Sequence, residues 1–375
     1  MSWQSYFPTK IFFGAYAITE NNASLAAFGN RALIVTGQGG SARRTGVLDD
    51  ICQALEQFSI KWSIFDQVEA NPSIETVRKG ADWARVCQAD FIIGIGGGSP
   101  LDAAKAIAIL AVNEIPDEEL FTRQFDRVLP IVAIPTTAGT GSEVTPYSIL
   151  TDPVTEAKQR ILSPLIIPQA AFLDPRYTLE LPDRITVDTA IDAYSHALES
   201  YLCAKATPFT ELLSLEGMRI LGAELKKLSE KTQTLGWKNR ENLLYGSLLG
   251  GMAISITGTT IPHTLGFSLT YYKDVPHGRA NGMIMPAYMR FNDMKTSDPK
   301  VMQAIKVSGF DNINHFSDLM FKLSGNPPYC SKEEKEIFVA RTLQAKNIQY
   351  NIAIPNREDM EKLLEAVLTT SVTFR

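Results

Sequence analysis

Cysteine and histidine are both scarce here, with four of each among 375 residues. Cys52, Cys87, Cys203 and Cys330 lie far apart and form no Cys-x-x-Cys pair. That excludes a disulfide scaffold or a thiolate zinc site and fits a reducing compartment. No stretch approaches about 18 uninterrupted apolar residues, so no membrane span is expected. The opening Met1-Ser2-Trp3-Gln4-Ser5-Tyr6-Phe7-Pro8 lacks the charged-then-apolar order of a secretory signal, and the expectation is a cytoplasmic protein. Positive charge is not in excess either: 36 Lys and Arg stand against 41 Asp and Glu, a net charge of −5. Nucleic-acid binding normally needs a clustered basic face, so no such partner is expected. No internal repeat or low-complexity tract breaks the chain. What remains, 45% hydrophobic and 21% charged, is ordinary globular composition. The length exceeds what one hydrophobic core usually serves, and two domains are expected.

Six short apolar runs read as strands: Ile11-Phe13, Ala32-Thr36, Trp62-Phe65, Phe91-Ile95, Ile131-Ile134 and Ala171-Leu173. Helical periodicity fills Val47-Phe58 and Ser73-Cys87, where Ile74, Val77, Ala81 and Ala84 keep one face apolar. Strands separated by helices imply βαβ units and a mostly parallel sheet. After about Pro182 the strand-like runs stop, and helical patterns dominate in Thr189-Cys203, Leu212-Leu228 and Arg240-Ile256. Ser331-Lys332-Glu333-Glu334 is a capping box, and Asn356 with Asp359 a weaker one. The reading is an α/β domain over residues 1–180 followed by an all-helical domain over 181–375. Asp174-Pro175 and Leu181-Pro182-Asp183 punctuate the boundary. An interface between two such domains is a favoured place for a ligand cleft.

Gly94-Ile95-Gly96-Gly97-Gly98-Ser99-Pro100 follows an apolar strand and precedes Leu101-Asp102-Ala103-Ala104-Lys105, a good helix start. The expected N-cap is Ser99, with Pro100 first in the helix. Glycines there let a ligand approach the backbone, and free N–H groups with the helix dipole attract phosphate. The spacing is neither G-x-G-x-x-G nor a P-loop, and a tight strand-to-helix turn is the plainer alternative. Four glycines in five positions exceed what a turn requires. A second loop, Pro135-Thr136-Thr137-Ala138-Gly139-Thr140-Gly141-Ser142-Glu143, offers further N–H and hydroxyl donors after another strand. Ligands of open α/β sheets bind at that edge.

The first βα turn, Thr36-Gly37-Gln38-Gly39-Gly40-Ser41-Ala42-Arg43-Arg44, bears on the choice of dinucleotide. Selection of NAD commonly places a carboxylate near the ribose 2′-OH, whereas a 2′-phosphate wants donors and positive charge. Here Gly37, Gly39, Ser41 and two arginines stand without an acid, so NADP(H) is favoured over NAD(H).

Asp192 and His196 lie four apart in an apolar helical stretch, on one face. One such pair is more often structural than metal-binding, yet an unpaired buried Asp would be costly. His263 and His277 each follow a proline beside glycine-containing sequence. Three imidazoles and a carboxylate form a coherent ligand set for a divalent transition metal, Fe²⁺ or Zn²⁺. His315 lacks such company and reads as structural.

At this point the residues resemble a family. Gly96-Gly97-Gly98-Ser99-Pro100-Leu101-Asp102-Ala103-Ala104-Lys105, Pro135 to Glu143, Asp192-xxx-His196 and the segment from His263 to Pro276-His277-Gly278 resemble the iron-containing (group III) alcohol dehydrogenases. The similarity runs from Lys10 to about Pro286. It implies a Rossmann-like N-terminal domain and a helical C-terminal domain in a dehydroquinate synthase-like architecture. It also implies Asp192, His196, His263 and His277 as metal ligands. Implied cofactor contacts are Asn71, Gly97, Gly98, Ser99, Asp102, the Thr137-to-Ser142 loop including Thr140, and Lys158. Gly37 stands where NAD-using members often have an aspartate. Phe267 replaces a histidine found in some members, so no proton-relay role transfers to that position. The expected reaction is metal-dependent hydride transfer between a primary alcohol or diol (or its aldehyde) and NADP(H), in a homodimer or higher homo-oligomer. Alternatives are a zinc-dependent glycerol dehydrogenase-like or dehydroquinate synthase-like enzyme on the same scaffold, or a non-catalytic nucleotide or metal sensor.

Overall fold

The computed structural model describes residues 3–122, 124–152, 157–230 and 235–369. It divides into two compact units. One takes the described residues within Tyr6–Leu181 and Leu235–Leu244; the other takes those within Met1–Ser5, Pro182–Thr234 and Tyr245–Arg375.

The first unit is built on β1 (Lys10–Phe13), β2 (Arg31–Gly37), β3 (Lys61–Val68), β4 (Phe91–Gly96), β5 (Ile131–Pro135) and a later strand, β8 (Ala170–Leu173). These form one sheet in the order β1-β8-β5-β4-β2-β3, with every pairing parallel. All six strands read from the sequence are in it. Its helices are α1 (Ala17–Glu20), α2 (Ser41–Arg44), α3 (Val47–Gln57), α4 (Ile74–Val86) and α5 (Gly98–Leu110). Both sheet faces are covered. Leu33, Val35 and Ile92 pack with α4 and α5, while Ala32, Ile34, Phe91 and Ile93 pack with α1 and α3. Side chains alternate across a strand, so burial on both faces produces the continuous apolar runs seen in the sequence.

A feature outside the sequence expectation is an antiparallel hairpin of β6 (Tyr147–Asp152) and β7 (Ala157–Leu162). Tyr147-Ser148-Ile149-Leu150 alternates between partly and fully buried positions, as a strand with one covered face should. Its polar content, including Lys158 and Arg160, masked it beside the apolar core strands.

The second unit holds α6 (Asp183–Tyr201), α7 (Pro208–Glu230), most of α8 (Trp237–Thr257), α9 (Ile261–Lys273), α10 (His277–Lys295), α11 (Lys300–Val307), α12 (Ile313–Ser324), α13 (Lys332–Gln344) and α14 (Arg357–Thr369). Here α10 packs against α6, α9, α12 and α14. The Ser331–Glu334 box forms in both directions. Asn356 and Asp359 likewise exchange side-chain-to-backbone bonds of 3.2 and 2.9 Å. No single described helix is long and apolar enough to cross a membrane.

Candidate metal and nucleotide sites

Three helices of the second unit bring the histidines together. In α6 the four-residue spacing stacks Asp192 and His196 on one buried face. His263 and His277 both stand in the first turn of a helix, His263 behind Pro262 in α9 and His277 behind Pro276 in α10. Proline's fixed φ suits it to helix starts, which explains the repeated Pro-His pair. Gly278 lets α10 begin against α6: a Cβ there would lie 1.8 Å from the Asp188 carbonyl oxygen. Arg279 then clasps the Asp188 carboxylate through two hydrogen bonds of 3.0 Å.

The resulting cluster is tight. Asp192, His196 and His263 offer ligand atoms all within 4.8 Å of one another. The His263 Nε2 lies 3.4 Å, and the His277 Nε2 3.7 Å, from the same Asp192 Oδ1. The rings of His196 and His263 stack at 4.6 Å, and His277 meets His263 edge-on at 5.0 Å. Asp192, His196 and His263 are buried, while the His277 side chain keeps 25% of its surface open. Phe267 stacks on His277 at 5.0 Å and supplies an apolar wall with no titratable group.

The donor set fits a divalent cation. The Asn281 amide nitrogen alone faces three acceptors: Asp192 Oδ1 at 3.0 Å, His263 Nε2 at 3.3 Å and His277 Nε2 at 3.4 Å. A single amide cannot satisfy three convergent lone pairs, whereas a transition-metal ion takes imidazole and carboxylate donors together. The surroundings also favour positive charge. Burial raises the Asp192 carboxyl, but His196, His277 and His263 outweigh it and hold the group well below the usual range. Burial lowers His263, yet Glu199 and Asp192 push it up to about 10. Such a site could exchange that proton for a metal.

Sequence reading passed over two members of this neighbourhood. Glu199, one helical turn beyond His196 and fully buried, accepts a short hydrogen bond from His263 Nδ1. Asn281 sits one turn beyond His277. Both continue the faces that carry the ligand candidates, and an acid on an otherwise apolar helix face was the available signal. His315 stays apart, exposed and paired with Asp311 at 2.9 Å.

The first unit gathers the loop residues at the carboxyl edge of β2, β4 and β5, adjacent strands in its sheet. Helix α5 starts two residues before the sequence reading, with Gly97 rather than Ser99 as its cap. The Ser99 hydroxyl is engaged elsewhere, accepting from the backbone N–H of Asn71 at 3.2 Å. Asn71 itself is left-handed at φ 59°. Gly98 is required by close approach, since a Cβ would meet the Thr140 methyl at 2.8 Å; Thr137 lies similarly against Gly97. Gly37 faces Pro100, so the first turn also reaches the start of α5.

Polar side chains pin these loops. Asp102 accepts from Ser142 Oγ at 2.6 Å and from the Ile149 N–H at 3.1 Å. Lys105, fully buried, donates to Ser142 Oγ at 2.8 Å, Thr145 O at 3.0 Å and Tyr147 O at 2.7 Å. Burial pulls its ammonium down to about 8 despite the nearby Asp102 and Glu143. Lys158 pairs across the hairpin with Thr151, and its charge opposes the burial that raises Asp102. In the first turn, Arg44 is turned back onto the Gly39 carbonyl at 2.7 Å, whereas Gly39 and Arg43 are exposed at the surface beside partly buried Ser41.

Comparison with known proteins follows the same division. Residues 8–175 match the family described as iron-containing alcohol dehydrogenase, and residues 186–368 match the C-terminal region of the Fe-containing alcohol dehydrogenase family. The chain belongs to the iron-containing alcohol dehydrogenase family and is an oxidoreductase of that kind. It is 33% identical to a sulfoacetaldehyde reductase of Bilophila wadsworthia, over 83% of this chain and 80% of the relative. An NADPH-dependent butanol dehydrogenase of Clostridium saccharobutylicum is also 33% identical, over 81% and 78% of the two chains. Among solved structures, an iron-containing alcohol dehydrogenase of Thermotoga maritima matches with a TM-score of 0.91 and 38% identity, covering 98% of this chain and 100% of that one.

Proposed function

We propose that this enzyme interconverts a primary alcohol or diol and its aldehyde, using NADP(H) in preference to NAD(H). The metal would be held by Asp192, His196, His263 and His277, with Fe²⁺ expected and Zn²⁺ able to substitute. The observation that supports this most is the convergence of the Asp192 oxygen and the His263 and His277 rings on the single Asn281 amide, with His196 gathered beside Asp192 and His263. When bound, a divalent metal supplies Lewis acidity that lowers the pKa of a coordinated hydroxyl, and the nicotinamide supplies the hydride acceptor.

The chain's own residues set geometry and charge. The buried ring faces of His196 and His263 exclude water on one side, and the Phe267 ring shields His277 on the other. The loops at Gly37, Gly39, Ser41, Asn71, Gly97, Gly98, Ser99, Asp102, Thr137, Thr140, Ser142 and Lys158 would hold the dinucleotide, mostly through backbone donors. With Arg44 engaged by Gly39, Arg43 is the cation left to meet a ribose 2′-phosphate. No described side chain at the cluster is required as general base. The four free cysteines suit a reducing cytoplasm, and a homodimer or higher homo-oligomer is the expected assembly.

A kinetic matrix of NAD⁺ and NADP⁺ against small alcohols and diols, run with Fe²⁺ and with Zn²⁺, tests this reading. Stoichiometric formation of NADPH with a primary alcohol is expected. Preference for NAD⁺ would overturn the reading of the Gly37–Arg44 turn. Full turnover by demonstrably metal-free protein would overturn the role of the four ligands. Bound metal and nucleotide without any redox change would point to a sensor.

A further inference from the structure

We infer that Glu199 is a positioning residue for the metal site, fixing His263 as the tautomer that presents its Nε2 to the ligand cluster. The inference rests on His263 being a metal ligand, as proposed above.

Glu199 is completely buried, and its two oxygens receive four donors. One oxygen accepts from His263 Nδ1 and from Ser195 Oγ at 2.6 Å. The other accepts from the Thr260 N–H at 2.6 Å and from Thr260 Oγ1 at 3.3 Å. All four partners are donors toward it, and none is a lysine or arginine. A buried carboxylate with no permanent cation is costly unless a positive charge stands close by. The imidazole it touches lies between it and the ligand cluster, so charge held there compensates Glu199 through His263.

The hydrogen bond also decides which ring nitrogen carries the proton. With Nδ1–H bound to the carboxylate, the neutral ring leaves a lone pair on Nε2, the atom 3.4 Å from Asp192 Oδ1. Partners of this type orient metal-bound histidines and raise their basicity. The anchor ties two helices together, since Glu199 lies on α6 and Thr260, whose N–H it accepts, is the N-cap of α9. A glutamine at 199 would turn an amide NH₂ toward either Thr260 N–H or His263 Nδ1–H. In the second orientation His263 must adopt the opposite tautomer, with a proton on Nε2.

The test is Zn²⁺ affinity by chelator competition in wild type, Glu199→Gln and His263→Ala, with NADP⁺ binding measured on each. Glu199→Gln should weaken Zn²⁺ about 10- to 100-fold while NADP⁺ affinity stays as in wild type. Its Co²⁺-loaded form at full occupancy should show shifted ligand-field absorption, which a merely structural role would not produce. Wild-type Zn²⁺ affinity in Glu199→Gln, with binding lost in His263→Ala, would overturn the role of Glu199 and leave the ligand assignment standing. Retained Zn²⁺ affinity in His263→Ala would overturn the assignment beneath it. If Glu199→Gln fails to fold, Ser195→Ala takes its place. Removing one donor to the same oxygen should weaken Zn²⁺ by a few-fold, and unchanged affinity would count against the proposal.

Discussion

The two candidate sites are made of different material. In the helical unit, the proposed metal site rests on side-chain atoms from residues 192, 196, 263 and 277, brought within a few ångströms by three helices. In the α/β unit it depends on backbone at three strand ends, where glycine keeps the space clear and Asp102, Lys105 and Ser142 pin the loops. A side-chain site fails when one side chain is removed. A backbone site tolerates loss of most side chains and fails when one is added, or when its pins are pulled. That contrast lets each site be broken while the other serves as the control for folding.

The largest effect is expected for His263→Ala. Loss of a ligand already fixed by a buried carboxylate should remove the metal and lower kcat by about a thousandfold or more, ~4 kcal/mol. Metal content and NADP⁺ affinity measured on the same sample separate the two sites: the first should fall and the second should not. His277→Ala should lose less metal affinity, because its side chain is partly open to solvent while that of His263 is enclosed. Equal losses would break that ranking.

Lys105→Met comes next. It removes the buried cation near half-buried Asp102 and buried Glu143 and the donor to Ser142, Thr145 and Tyr147. Leaving buried charge uncompensated costs about 3–5 kcal/mol, readable as a fall in the denaturant midpoint, with NADP⁺ affinity falling and Zn²⁺ affinity held. Gly98→Val is milder. It forces a branched side chain against the Thr140 methyl, 2.8 Å from where the Cβ would be, at a cost of about 1–3 kcal/mol. Because both loops must part, NADP⁺ binding should weaken about tenfold while metal content is unchanged. A valine variant with native NADP⁺ affinity would show that the loops do not meet the nucleotide.

The same contrast governs what the sequence displayed. The four inner strands were legible because burial on both faces writes continuous apolar runs such as Phe91-Ile92-Ile93, while the edge strands β1 and β3 showed as shorter apolar runs. The hairpin of β6 and β7 was not, since one covered face leaves only alternation, which Lys158 and Arg160 blur. Asp192 and His196 were visible as a pair because helix geometry is local, and His263 and His277 because histidine is so rare here. Their convergence came from resemblance, for nothing local encodes the crossing of α6, α9 and α10. Glu199 and Asn281 escaped because their roles exist only after that crossing. Ser99 was misplaced as a cap because the competing Asn71 N–H is 28 residues away in sequence.

The smallest effect sharpens the comparison by pH. Glu143, at the end of the Pro135-to-Glu143 loop, is fully enclosed, and its Oε1 has no hydrogen-bond partner among the described residues. Burial raises its carboxyl to about 7, although its own backbone hydrogen bond and the nearby Lys105 pull the other way. Its ordinary value in the unfolded chain is 4.5, so the folded state binds more protons between those values. Stability contributed by this group is therefore complete below about 4.5 and is lost as pH rises through about 7. Lys105 acts in a separate window: its value falls from 10.5 to about 8, so its contribution grows as pH rises between them. Glu143→Gln should flatten the decline of the denaturant midpoint between pH 5 and 7 and leave the alkaline limb in place. Metal affinity, which belongs to the other unit, should be the same in the variant as in wild type. An unchanged acid limb would mean that Glu143 is ionised throughout, with Lys105 neutralising it more effectively than burial resists.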